Sequence, residues 1–148
     1  TVEVGVAYFP ALEMMVAAAT GQGCWHNGRR AHVSEVPRLA QGCVAFTDVA
    51  NFERYSRGAA WGRLQNTSSF RVGWGDAYGH CLVATGKIEL MLDPIVSVWD
   101  CGPFPPILRE AGGYFGDWAG NATIHAGEAL STTQALLPEV LRLVEDPS

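Results

Sequence analysis

From Gly42 onward, short apolar runs alternate with helical stretches, and this alternation limits the fold more than any other feature. Gly42 to Thr47 (GCVAFT) reads as a buried strand. Asp48 or Asn51 caps a helix reaching about Leu64, with Phe52, Tyr55 and Ala59 at helical spacing. Phe70 to Trp74 is a second strand, and Asp76 to Thr85 a helix with Ala77, Cys81 and Ala84 on one face. Gly86 closes that helix, since glycine adopts the left-handed conformation that ends helices. Ile88 to Leu92 is a third strand. Asp100 to Ala111 is a helix with prolines in its first turn, ended by Gly112-Gly113. A short strand, Ala129 to Thr132, precedes an amphipathic helix, Thr133 to Val144, carrying Leu136, Leu137, Val140, Leu141 and Val144. Such a series predicts a layered α/β/α core with helices on the faces of a sheet.

Residues 1–41 follow a different rule. Val2, Val4 and Val6 alternate with Glu3 and Gly5, and Pro10 to Glu13 separates this strand from Met14 to Ala19. Asn27-Gly28 is a strong hairpin signal, because both residues tolerate the positive φ of a type I′ turn. An antiparallel β-meander is expected over 1–41 and an α/β domain over 42–148. The chain starts without methionine, in what reads as mid-strand, so earlier residues are expected to be missing.

The net charge of -5, with only 10 Lys and Arg, argues against a nucleic-acid partner, which needs a basic surface. Arg29-Arg30 reads as a solvated hairpin tip. No apolar run approaches the ~18 residues of a membrane span, and no signal peptide is visible. Cys24, Cys43, Cys81 and Cys101 have no zinc spacing and sit in or beside apolar runs, as small buried hydrophobes do. A reducing, cytoplasmic setting is expected.

Three acidic positions stand where chemistry could be done. Asp100 is read at a helix start, either as an N-cap or as a metal-ligating carboxylate, and the two roles are compatible. Asp93 precedes Pro94, either as a turn residue or as a carboxylate that bonds a substrate hydroxyl or amine. Gly75-Asp76 opens the middle helix, as a cap or as a place where a ligand approaches the backbone at Gly75 and touches Asp76. The histidines form no metal or triad pattern, and Ser131-Thr132-Thr133 reads as strand-end and capping chemistry.

These segments, GDAYGHCLVATG from Gly75, then Asp93, then Trp99-Asp100, then Glu110-Ala111-Gly112-Gly113, resemble in order and spacing the inositol monophosphatase superfamily. The hairpin GQGCWHNGRRAHVS and the tail from Gly127 to Leu141 extend the resemblance over nearly the whole chain. The LVATG phrase, the Asp93-Pro94 pair and Asp117-Trp118 after EAGG look most like its histidinol-phosphate phosphatase branch, which acts late in histidine biosynthesis. The resemblance implies Mg²⁺-dependent hydrolysis of a small phosphorylated metabolite. It makes Asp100 a metal ligand, turns Asp93 toward the substrate's organic part, and places Gly75 and Asp76 in the same pocket. It also implies a homodimer.

The family's other metal carboxylates lie in a Glu-Glu segment and a DPxDGT segment, and neither occurs in this chain. One carboxylate cannot hold a catalytic metal pair. No catalytic set is complete here, so the chain is expected to be a C-terminal half, inactive alone and prone to self-association through an uncovered sheet face. Two departures stand out: Gly102-Pro103-Phe104-Pro105-Pro106 follows Asp100, and Ser131-Thr132-Thr133 replaces small-Thr-Asn. The alternatives are another substrate (inositol phosphate, a sugar bisphosphate or a nucleotide phosphate) or a non-catalytic binding module.

Overall fold

Two sheets organise the computed structural model, which describes residues 1–146. The expected second division, 42–148, ends on Pro147 and Ser148, which lie outside the described residues. The first sheet is the antiparallel meander: β1 (Val4–Phe9), β2 (Met14–Ala19), β3 (Gly23–His26) and β4 (Arg29–Arg30), in that spatial order. Asn27 (φ 47°) and Gly28 (φ 78°) form the left-handed turn that their types allow. The valines of β1 face outward. Gly5 and Ala7 face inward instead, because the Pro103 carbonyl lies where a side chain at position 5 would be. Val4, Val6, Tyr8, Met15 and Trp25 are therefore exposed.

The second sheet has five strands: β5 (Cys43–Phe46), β6 (Phe70–Val72), β7 (Leu90–Asp93), β8 (Gly113–Gly116) and β9 (Ala129–Thr133). Their order is β6-β5-β7-β9-β8. The first three run parallel, and β9 is antiparallel to both of its neighbours. Helices α1 (Ala50–Arg54), α2 (Gly58–Thr67) and α6 (Leu137–Val144) cover one face; α3 (Asp76–Ala84) and α5 (Phe104–Glu110) lie between the two sheets. The expected α/β/α layering is present, with the meander packed outside it. Among the described residues no helix is long and apolar enough to cross a membrane.

Three expectations need correction. The helix expected from position 48 or 51 to about Leu64 is two helices, broken at Ser56, whose φ is 61°. The break lets Phe52 and Trp61 stack at 4.5 Å between centroids, and lets Arg57 reach Glu128 at 2.6 Å. Asp48, rather than Asn51, satisfies the helix start, its Oδ1 accepting the Ala50 N–H.

The helix expected from Asp100 to Ala111 is also two: α4 (Val98–Cys101) and α5. Pro105 and Pro106 stand in the first turn of α5, where a missing N–H costs nothing. Finally, Gly112-Gly113 does not only end a helix but begins β8, a buried edge strand. Gly113 must stay small there, because a Cβ would lie 2.8 Å from the Thr132 carbonyl and 2.9 Å from Val33.

The cysteines are free, and Cys24, Cys81 and Cys101 are buried. Burial pushes the Cys24 thiol up to about 11 and the Cys81 thiol to about 12, as suits packing rather than reactivity.

Candidate active site

Strands β5 and β7 run side by side in the same direction, with Phe46 level with Leu92. The next residue of each strand's path, Thr47 and Asp93, therefore emerges at the same sheet edge. In open parallel sheets this carboxyl edge is where ligand sites form. Asp93 is 5% exposed, and its Oδ1 accepts the Thr47 hydroxyl at 2.6 Å. Thr47 Oγ1 in turn accepts the Asp76 N–H at 2.9 Å, which pins the start of α3 to the end of β5. Asp76 has φ 53°, a backbone conformation that aspartate tolerates better than most side chains.

Asp76, Asp93 and Asp100 meet in one small cleft of about 60 Å³, together with Thr47, His80 and Asn51. Ile95 and Val96 add apolar wall. Among the described residues, no lysine or arginine lines it. Three carboxylates line it, and beside it burial first, then Asp100, raise the thiol pKa of Cys101. Gly75 stands outside the lining. Its missing side chain makes room for Thr47, whose backbone and hydroxyl occupy the space a Cβ would take.

Asp100 does not open its helix, as the sequence suggests. Ser97 is the N-cap, and Asp100, at the third helical position, reaches back so that its Oδ2 accepts the Ser97 N–H at 3.3 Å. This fixes an exposed carboxylate over the cleft mouth. Trp99 beside it is 88% exposed.

The EAGG segment serves the fold. The Glu110 carboxylate accepts the N–H groups of Gly21 at 2.8 Å and Gly23 at 3.0 Å, closing the turn between β2 and β3. These two bonds hold its carboxyl below the usual range.

Sequence reasoning missed three residues here: Thr47, His80 and Ser131. His80 Nε2 lies 3.1 Å from Asp93 Oδ2, and Nδ1 lies 2.6 Å from Ser131 Oγ. The available signal was spacing, since His80 follows Asp76 by one helical turn and so shares its face. Ser131 faces His80 across β9 and carried no such signal.

Mg²⁺ demands a near-octahedral shell of oxygen ligands. Among the described residues no group of three or more His, Cys, Asp or Glu side chains could hold a metal ion. The residues present therefore do not make a metal site by themselves, and Asp100 offers one carboxylate toward such a site.

The whole chain is similar to known proteins. The family described as the inositol monophosphatase family matches residues 1–146. A histidinol-phosphatase of Chlorobaculum parvum is 37% identical over 128 residues, covering 86% of this chain and 49% of that protein. One of Mycobacterium tuberculosis is 34% identical over 143 residues, covering 93% and 55%. The chain thus spans about half the length of the curated relatives it matches. Among solved structures, an inositol monophosphatase from Zymomonas mobilis has the same fold, with TM-score 0.89 at 21% identity, over 97% of this chain and 58% of that one.

Proposed function

The chain belongs to the inositol monophosphatase family, and from that premise we propose that the protein it forms hydrolyses phosphomonoesters with Mg²⁺, histidinol phosphate being its substrate. The meeting of Asp76, Asp93 and Asp100 in one cleft carries this reading. Asp100 is the carboxylate in this cleft that would hold the cation, and one carboxylate would need further ligands that the cleft lining does not supply. A cation bound there would neutralise phosphate charge and acidify a bound water. Asp93 and Asp76 face the substrate's organic part. With no lysine or arginine in the lining, a second phosphate finds no partner, whereas an ammonium group finds carboxylates. That preference, and two relatives named histidinol-phosphatase, support histidinol phosphate as the substrate.

On this reading the 148 residues are inactive by themselves, because no cluster of three or more ligating side chains is found among those described. The same shortfall favours the second reading, a binding module without turnover. Inositol monophosphatases among the weaker relatives keep inositol phosphate as the alternative substrate. Phosphate release from histidinol phosphate and inositol monophosphate, by the whole protein with and without Mg²⁺, decides between them. Mg²⁺-dependent release, faster from histidinol phosphate, is expected. Faster release from inositol monophosphate would reassign the substrate, and no release from either would leave the binding module.

A further inference from the structure

His80 is 2% exposed, and the proposed reaction gives it no task. Its ring packs against Phe104, at 4.9 Å between centroids, and Phe115, at 5.4 Å. Each ring nitrogen has one polar partner: Ser131 Oγ for Nδ1 and Asp93 Oδ2 for Nε2. A carboxylate only accepts, so Nε2 carries the proton on the Asp93 side in both the neutral and the charged ring. In the neutral ring, Nδ1 accepts the hydroxyl of Ser131, itself fully buried. On the other carboxylate oxygen the donor is Thr47, oriented in turn by the Asp76 N–H. Donors thus converge on Asp93 from α3 and from the end of β5, backed by β9.

A carboxylate with one fixed donor on each oxygen is held in one orientation and keeps further lone pairs free. Those of Asp93 border the cleft. We propose that His80 is a positioning residue: the buried Ser131–His80–Asp93 chain, closed by Thr47, holds Asp93 as a fixed acceptor, so that the cleft selects phosphate esters presenting an ammonium group there. The inference rests on reading the cleft as a phosphomonoester site. A purely structural His80, tying α3 to β7 and β9, would affect stability but not the choice between two ligands.

Calorimetric binding without Mg²⁺ tests this on the whole protein. The ligands are histidinol phosphate and the same ester lacking its amine; the proteins are wild type, His80→Phe and His80→Gln. Phe retains an aromatic ring against Phe104 and Phe115 but removes the donor, and Gln returns an N–H. Wild type is expected to prefer the amine. His80→Phe should reduce that preference about tenfold or more, the scale of a charge-assisted hydrogen bond, and His80→Gln should restore most of it. Wild type without a preference, or His80→Phe with an undiminished one, would overturn the proposal. Thermal melting reports whether each variant folds. Should His80→Phe not fold, Ser131→Ala takes its place: a reduced preference supports the chain, and an unchanged one overturns it. Phosphate release by the same wild-type sample with Mg²⁺ is scored separately. No release beside an intact amine preference would sink the phosphatase reading and sustain the role of His80, and release without the preference would do the reverse.

Discussion

Asp93 takes its two hydrogen bonds from side chains, Thr47 and His80, whereas Glu110 takes its two from backbone, the N–H groups of Gly21 and Gly23. Asp93 is buried at the floor of the cleft; Glu110, half-buried at the end of α5, reaches across to the turn between β2 and β3. Backbone donors are fixed by the fold, so Glu110 closes a turn. Side-chain donors must themselves be held, and around Asp93 they are, by Ser131 and by the Asp76 N–H. The two carboxylates lie in neighbouring motifs of the sequence. The difference teaches that a motif residue's job follows from the kind of donor it meets and from what else borders it.

Removing Asp93 should give the largest change in stability. Asp93→Ala strands the buried His80 donor and frees the Thr47 hydroxyl, so a loss of about 3 kcal/mol is expected in urea unfolding. A loss below that of Glu110→Ala would break the contrast. Glu110→Gln should act mainly in acid. The folded chain holds this carboxyl below its ordinary 4.5, so its contribution is complete above that value and is lost as pH falls through the lowered one. The variant should flatten the acid limb of a stability-against-pH curve, and an unchanged limb would count against the clamp.

Glu89 sharpens the comparison from the other side. It is buried and accepts one N–H, that of Cys43, at 3.1 Å. Burial raises its carboxyl pKa, so its ionised form weakens the fold at neutral pH, and stability is regained as pH falls through the raised value. Glu89→Gln should leave the melting temperature at neutral pH unchanged or slightly higher. A clear drop would mean that the charge is needed.

Elements were legible where local chemistry decides them. Asn27-Gly28 announced its turn, and Gly86, at φ 75°, its helix end. Asp76, Asp93 and Asp100 stood out because each is an acid beside a strand or helix end, and the fold gathers those ends at one edge. The misread helices failed on single residues: Ser56 takes a conformation that periodicity does not show, and Pro103 to Pro106 start a second helix rather than distort the first. A strand of four residues, two of them glycines, concealed β8. The partners of Asp93 were hidden for a different reason. Thr47 lies 46 positions from it in sequence, and Ser131 lies 51 from His80, so only the sheet order joins them.

The central claim is that Asp100, fixed over the cleft mouth by the Ser97 N–H, serves a cation rather than only its helix. Mg²⁺-dependent phosphate release from histidinol phosphate by the whole protein, wild type against Asp100→Asn, tests it most directly. Asn retains an oxygen acceptor for the Ser97 N–H but not the charge. The account predicts Mg²⁺-dependent turnover in wild type and a loss of about a hundredfold or more in the variant at equal folded stability. Equal turnover and equal Mg²⁺ dependence in both proteins would reduce Asp100 to a helix-capping residue and contradict the account.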